Sequence, residues 1–156
     1  MFCETSPGGM AALERLQLDG NRELFGTFPD TSALANLSMV TASGCSFTKA
    51  AKQSASLQHL DLSSNRLDSL ADLGACSGLR VLRVQNNKVS HWPLAGVATK
   101  KCSGSTMLPY FEWTQLQQLV VSNNPLTVDA QRFIDSLSYL DSLVDCKPPT
   151  AACSVQ

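Results

Sequence analysis

The sequence is short of charge and of aromatic side chains. Charged residues make up 16% and aromatic residues 6% of its 156 residues, where globular chains carry about 25% charged residues. A core built from this chain must therefore be mainly aliphatic. The net charge of −1 lacks the basic excess that a nucleic-acid-binding surface needs. No apolar run reaches the roughly 18 residues of a transmembrane helix, so we expect no membrane insertion.

Recognisable catalytic and metal-binding motifs are absent as well. The sequence contains no H-E-x-x-H, G-x-S-x-G, phosphate-binding-loop or dinucleotide-binding pattern. His59 and Asp61 share one face of a predicted strand, but no serine or cysteine nucleophile is implied near both. Cys146 and Cys153, with Cys3 distant in sequence, form a poor zinc-binding set. We therefore predict no enzymatic activity, no metal and no cofactor.

The first residues, MFCETSPGGM, lack the basic and apolar regions of a secretory signal. They also lack the arginines of a mitochondrial presequence, which a cleaved precursor would already have lost. The six cysteines are scattered along the chain. Without secretory context and compact spacing, reduced thiols are favoured over a disulfide framework. We expect an intracellular protein.

One pattern, L-x-x-L-x-L-x-x-N-x-L, recurs along the chain. It begins at residues 13, 57, 79 and 116, and a degenerate copy, LSMVTASGCSF, begins at residue 37. An internal repeat of about 20–29 residues with this pattern is a signature of a solenoid. The long step from residue 79 to residue 116 predicts an insertion of about 15 residues, since the usual step is about 22 residues.

The repeats resemble the leucine-rich repeat family, and the resemblance covers nearly the whole chain. Apolar residues also stand three places before most frames, and two more follow the frame that begins at residue 57: Met10, Leu34, Cys76, Trp113, Leu70 and Leu73, with Ser54 as the exception. This extended pattern is similar to the intracellular class of about 22 residues. That class includes a phosphatase regulatory subunit, the leucine-rich light chain of axonemal dynein and the spliceosomal A-prime protein.

The resemblance implies an α/β fold, a right-handed solenoid with about five parallel strands on its concave face. Its convex side is expected to be irregular or 3₁₀. The expected boundaries are a tail at 1–9, repeats at 10–127 with an insertion within about 94–112, a cap at 128–146 and a tail at 147–156. In the cap, a helix is predicted from about Val128, with Ala130, Phe133, Ile134 and Leu137 on one face. The short start is expected to leave the inward face of the first coil poorly covered. Either a partner seals this face, or the chain is a shortened relative of longer proteins; we favour a partner.

The ninth position of each frame has a predicted structural role. It holds Asn21, Cys45, Asn65, Asn87 and Asn124. A carboxamide carries donors and an acceptor, so at the turn after each strand it can pair with backbone of its own coil and of the next coil. Cys45 is interpreted as a buried structural thiol rather than a nucleophile.

Two surfaces are candidates for partner binding. One is the concave face, where the strand residues that alternate with the leucines include Arg15, Gln17, Met39, His59, Asp61, Val81, Arg83, Gln85, Gln118 and Val120. Its apolar members form a modest binding surface, or are only the scattered exposed apolar residues that are normal. The other is the insertion, expected to project as an exposed loop, with Lys100, Lys101, Tyr110 and Phe111. Its aromatic residues either anchor a partner or refill the convex core.

These observations predict a non-enzymatic protein–protein interaction module, a small accessory or scaffold subunit of a larger complex. The partner proteins would also cover the first coil. One alternative is a regulator of a partner enzyme or motor, and another is a ribonucleoprotein component that contacts RNA mainly through a protein, since few basic residues are available for phosphate. The resemblance favours the cytoplasm or the cilium and leaves the mitochondrion possible.

Overall fold

Each copy of the repeat contributes one short strand to a parallel sheet. The structure is a computed structural model that describes residues 10–73, 76–90, 99–101, 107–109, 115–135 and 142–143. Along this part of the chain the elements are β1 (Arg15–Gln17), β2 (Phe25–Phe28), β3 (Met39–Thr41), β4 (Ser46–Ala50), β5 (His59–Asp61), a 3₁₀ turn (Ala71–Leu73), β6 (Val81–Arg83), β7 (Thr99–Lys101), β8 (Met107–Pro109), β9 (Gln118–Val120), α1 (Val128–Asp135) and β10 (Ser142–Leu143). The main sheet has the order β1-β3-β5-β6-β9-β10. Every neighbouring pair in it is parallel.

The five repeat strands belong to five stacked coils, whose sequence frames begin at residues 13, 37, 57, 79 and 116. Their central residues lie opposite one another in register: Leu16, Val40, Leu60, Leu82 and Leu119. From Val40 to Leu119 these side chains are completely buried. The structure therefore confirms the predicted solenoid. The sixth strand, β10, which the repeat pattern does not predict, pairs with β9 at the C-terminal end of the sheet.

A left-handed backbone residue follows each of the five repeat strands. The eighth residue of each frame has a positive φ: Gly20 (76°), Gly44 (67°), Ser64 (54°), Asn86 (57°) and Asn123 (56°). Glycine reaches this region without a steric cost and asparagine tolerates it better than most residues. This turn swings the chain away from the sheet, so that the ninth residue enters the interior.

The convex side of the first two coils differs from the expected irregular path. There β2 pairs with β4 in parallel, with an irregularity between Gly26 and Thr27. The rings of Phe28 and Phe47 meet edge to face, with centroids 5.2 Å apart. Aromatic and threonine residues favour strand conformation, and FGTF and SFTKA supply them side by side. The third coil instead carries the 3₁₀ turn, as expected.

The C-terminal helix begins at Val128. Thr127 caps it, because its Oγ1 accepts the backbone N–H of Ala130 at 3.4 Å. Ala130 and Ile134 are buried against the last coil. Within the insertion, β7 and β8 pair antiparallel, so this segment holds a strand pair where a loop was expected. The other residues of the insertion, the tails at 1–9 and 147–156, and the rest of the predicted cap lie outside the described residues, apart from β10.

Coverage of the core differs from one end to the other. Leu13, Leu16 and Leu18 of the first coil are only partly buried. Met10 is 68% exposed and Phe25 is 79% exposed. No described residue pairs with the outer edge of β1. Among the described residues, no helix combines the length and apolarity needed to cross a lipid bilayer.

Candidate functional site

The concave face is made of three rows of side chains that cross the sheet. The first row is Arg15, Met39, His59, Val81 and Gln118, and the second is Gln17, Thr41, Asp61, Arg83 and Val120. The third row follows the strand ends: Asp19, Ser43, Ser63, Gln85 and Ser122. All predicted concave-face residues lie in these rows, because alternate residues of a strand point to one side of a sheet.

An ion pair occupies the middle of the concave face. Arg83 Nη1 lies 4.0 Å from Asp61 Oδ2, and their side chains are 41% and 15% exposed. An ion pair at such an exposed position contributes little to stability. The Arg83 guanidinium has further N–H groups with which to bind another carboxylate in a bidentate manner. The ion pair therefore positions the Arg83 guanidinium, and its contribution to the stability of the fold is small.

His59 lies beside this pair. Burial lowers the pKa of His59, and the charge of Arg83 lowers it further while Asp61 opposes the change. The imidazole is therefore neutral near pH 7. Within the described residues no group of three or more His, Cys, Asp and Glu side chains is arranged to hold a metal ion.

Apolar side chains flank the charged centre. Met39 and Val81 lie on either side of His59 in the first row, and Val120 lies next to Arg83 in the second row. All are half-buried. A further feature is Gln85, whose Oε1 is buried and has no hydrogen-bond partner among the described residues. Such atoms are rare in folded proteins.

A hydrogen-bond network fixes the concave face near the first coil. Asp19 accepts a bond from Thr41 Oγ1 at 2.7 Å and one from the backbone N–H of Ser43 at 2.7 Å. It also accepts a bond from Gln17 Nε2 at 3.2 Å. Burial opposes ionisation, but these bonds together lower the pKa of Asp19. Asp19 is thus a stable anion near the edge of the sheet.

The ninth-position residues lie inside the turns. Asn65 Nδ2 donates to Ala42 O of the preceding coil at 2.8 Å and to Leu62 O of its own coil at 3.0 Å. Its Oδ1 accepts the backbone N–H of Phe47 at 3.1 Å. Asn87 and Asn124 repeat these bonds. The expected pairing with the next coil is therefore wrong in direction: the amide reaches back, because the turn of each coil lies over the strand end of the coil before it.

Cys45 and Asn21 depart from this arrangement. Cys45 Sγ donates to Leu18 O at 3.2 Å, which reproduces only the donor half of an asparagine. Burial raises the pKa of the Cys45 thiol, and the charge of Asp19 also raises it. Asn21 is exposed, and its described side-chain bonds reach only Leu18 O at 2.7 Å and Asp19 O at 3.5 Å of its own coil.

A row of side-chain hydrogen bonds between eighth-position residues borders the concave face. The sequence analysis did not predict it. Asn123 Nδ2 donates to Asn86 Oδ1 at 2.8 Å, and Asn86 Nδ2 donates to Ser64 Oγ at 3.4 Å. These are the eighth-position residues with positive φ. The signal was present in the sequence, because Gly, Gly, Ser, Asn and Asn occupy that position and such residues favour left-handed turns.

The candidate residues of the insertion are only partly described. Lys100 and Lys101 belong to β7. Tyr110 and Phe111 lie outside the described residues, so neither reading of the aromatic residues is tested.

The Leucine Rich Repeat family model matches residues 56–76, which fall on the third coil. The other four coils share its register and its turn conformation. Comparison with curated proteins and with solved structures found no match. The family match does not distinguish between subclasses of the repeat.

Proposed function

We propose that this chain is a leucine-rich repeat protein and that it acts as a non-enzymatic module, binding another protein through its concave face. The observation that carries the proposal is the joint position of Met39, Val81 and Val120 around the Arg83–Asp61 pair on one sheet face. Protein interfaces combine such apolar centres with polar rims, and arginine is enriched in them.

The chemistry of the face supports a specific rather than a general contact. Arg83 is held at 4.0 Å from Asp61, so a partner carboxylate can meet a positioned guanidinium. Gln85 offers a buried acceptor that a partner donor would satisfy after a small side-chain rotation. The neutral imidazole of His59 adds a donor and an acceptor. Strand residues hold these groups on a rigid element, which lowers the entropic cost of binding.

The insertion is proposed as a second contact. Lys100 and Lys101 lie in β7 of its strand pair, and Tyr110 and Phe111 follow β8 by sequence. Aromatic anchors beside basic residues are typical of interface centres and rims. In this proposal the insertion contributes to affinity, while the concave face determines which partner binds.

The test is affinity capture of the tagged chain from its own cells, with quantitative mass spectrometry of the bound proteins. The test variant is Arg83→Glu with Val120→Glu. The matched control is Arg66→Glu with Val128→Glu, which makes the same changes at exposed residues away from the concave face. We expect a stoichiometric partner to be retained by the control and lost by the test variant. Equal capture by both variants would show that the concave face is not the binding surface.

The same capture separates the finer roles. In the insertion variant, Lys100→Glu with Lys101→Glu, we expect weaker capture of the same partner. An accessory or scaffold subunit predicts loss of the complex when the chain is removed, and a regulator predicts a changed turnover of the partner enzyme or motor. A ribonucleoprotein component predicts capture that ribonuclease abolishes, with a steep dependence on salt.

A further inference from the structure

We propose that the first coil pairs with the first coil of a second copy of this chain, by antiparallel pairing of the two β1 edges around Gln17. This inference goes beyond the proposed function, because it concerns the edge of the sheet and not the centre of the concave face. It joins two solenoids end to end into one continuous sheet.

The backbone N–H and C=O groups of β1 point alternately toward the second coil and toward the outer edge of the sheet. Leu18 N–H and Gly20 N–H donate to the second coil, at 2.7 Å each, and Glu14 O accepts from it. In a strand, the residues between these direct their N–H and C=O groups to the opposite edge. Arg15, Gln17 and Asp19 therefore present their backbone groups at the outer edge.

In β3, the backbone groups at the corresponding positions form hydrogen bonds with the first coil. Thr41 O and Ser43 O accept from the first coil, and Met39 N–H donates to it. These residues hold the same repeat positions as Gln17, Asp19 and Arg15. The edge of β1 thus repeats a surface that β3 uses for pairing. No described strand pairs with it, and Asp19 O accepts only a long bond of 3.5 Å from Asn21 Nδ2 of the same coil.

The charged side chains along this edge are complementary to those of the same edge in a second copy. With a twofold axis through Gln17, antiparallel pairing places Arg15 of each copy opposite Asp19 of the other copy. The symmetry therefore creates two such pairs of opposite charge. Opposite charges at facing positions stabilise such pairs. The network of Asp19 with Thr41 and Ser43 keeps this carboxylate ionised and in place. A carboxylate has lone pairs left for a further donor.

The interior side of the edge also matches. The same register places Leu16 opposite Leu18 of the other copy, and both leucines are only partly buried in one chain. Met10, Leu24 and Phe25 lie on this coil and are three of the four large apolar residues that are exposed in the described chain. Pairing two first coils brings these surfaces together and removes apolar area from water.

The register gives a sharp cross-linking test. Facing residues in an antiparallel hydrogen-bonded pair have Cα atoms about 5.5 Å apart, within the range of a disulfide. We expect Gln17→Cys to form a covalent dimer on mild oxidation, detected by non-reducing electrophoresis and peptide mapping. Arg15→Cys alone should not, because its facing position is Asp19, but Arg15→Cys mixed with Asp19→Cys should cross-link.

The association itself is measured by sedimentation velocity on the full chain under reducing conditions, over a concentration series. We expect a reversible dimer. Arg15→Asp, which puts two carboxylates opposite each other, and Gln17→Pro, which removes an outward N–H, should each weaken it at least about tenfold. Arg66→Asp, on the turn after β5, is the matched control and should leave the dimer unchanged.

Three results would overturn the proposal. They are a monomer at every concentration, a dimer that resists both Arg15→Asp and Gln17→Pro, and a dimer in which Gln17→Cys does not cross-link. Circular dichroism and thermal melting at low concentration confirm that each variant is folded. Because Asp19 also binds Thr41 and Ser43, the Gln17→Cys experiment keeps the proposal testable if the Asp19→Cys chain is unstable.

Discussion

The first coil and the fourth coil carry the same sequence frame. Their inward residues differ in burial and in the coils to which they hydrogen-bond. Leu82 of the fourth coil is fully buried between two neighbouring strands, whereas Leu16 of the first coil is partly buried and has a neighbouring strand on one side only among the described residues. The Asn87 side chain binds backbone of two coils, and the described side-chain bonds of Asn21 reach only its own coil. The stabilising value of a frame residue therefore depends on whether a coil precedes it.

This difference follows from the one-dimensional character of a solenoid. Stability in such folds is approximately the sum of coil and nearest-neighbour terms. A first coil has one interface where an interior coil has two. The same residue type at the same frame position should then give different costs on mutation, and matched pairs of substitutions measure that difference directly.

The largest contrast is expected for the central leucines. Leu82→Ala should lower the free energy of unfolding by about 3–5 kcal/mol, since it opens a cavity in a closed core. Leu16→Ala should cost about 1–2 kcal/mol, because its side chain is partly exposed already. Urea unfolding monitored by circular dichroism at low protein concentration provides the measurement. Equal costs would mean that the first coil is as closed as the fourth in the single chain.

The asparagines give the next contrast. Asn65→Ala removes four hydrogen bonds and leaves the N–H of Phe47 and the carbonyl of Ala42 buried without their partner. Unpaired buried groups of this kind cost about 1–3 kcal/mol each, so we expect a loss of about 2–4 kcal/mol. Asn21→Ala should cost less than about 1 kcal/mol, because Asn21 is exposed.

The same unfolding experiment tests this pair. If Asn21→Ala is as harmful as Asn65→Ala, the amide acts within its own turn and not as a link between coils.

The sequence was sufficient for the solenoid but not for its local variations. Leucines at fixed spacing identified Leu60 and Leu82 as facing residues, since a periodic pattern has only one solution for stacking. The direction in which Asn65 and Asn87 reach was not predictable. A carboxamide fits backbone on either side, and only the offset of successive turns decides between the two coils.

The convex sheet shows a second limit. The edge-to-face contact of Phe28 and Phe47 across β2 and β4 depends on two coils of compatible length lying side by side, which the repeat pattern does not specify. The positions of the side chains on the concave face followed from the sequence, because the strand period places alternate residues outward; their role in binding stays a prediction. The Arg83–Asp61 pair and the buried Gln85 Oε1 needed side-chain rotamers, which a pattern does not contain.

The cysteines extend the comparison to pH. Burial raises the pKa of the Cys76 thiol from 9.0 to about 11, with a backbone hydrogen bond of Gln53 opposing it. The folded state then holds a proton that the unfolded state loses. Stability is fully present below pH 9.0, falls as the pH rises to about 11 and is constant beyond it.

We expect this loss to be about 3 kcal/mol and to be absent from Cys76→Ala, after subtraction of the common titration of other groups. Cys45, beside the first coil, should give a smaller loss, tested with Cys45→Ala. Urea unfolding at a series of alkaline pH values measures both. Parallel curves for the parent chain and Cys76→Ala would show that Cys76 is not protected by burial.

The eighth-position glycines are expected to show the smallest difference between the first coil and a later coil. They therefore serve as a control for the comparison. Gly20 and Gly44 have φ of 76° and 67°, and a Cβ at either would have no contact closer than 3.8 Å. Gly20→Ala and Gly44→Ala should therefore each cost about 1 kcal/mol for left-handed strain alone, in the first coil and in the second alike. Equal costs, measured by urea unfolding, would separate a local backbone requirement from the contacts between coils that distinguish Leu16 from Leu82. A much larger cost at Gly44 would instead mean that the turns press on one another, and the contrast between first and interior coils would then include the turns as well as the core.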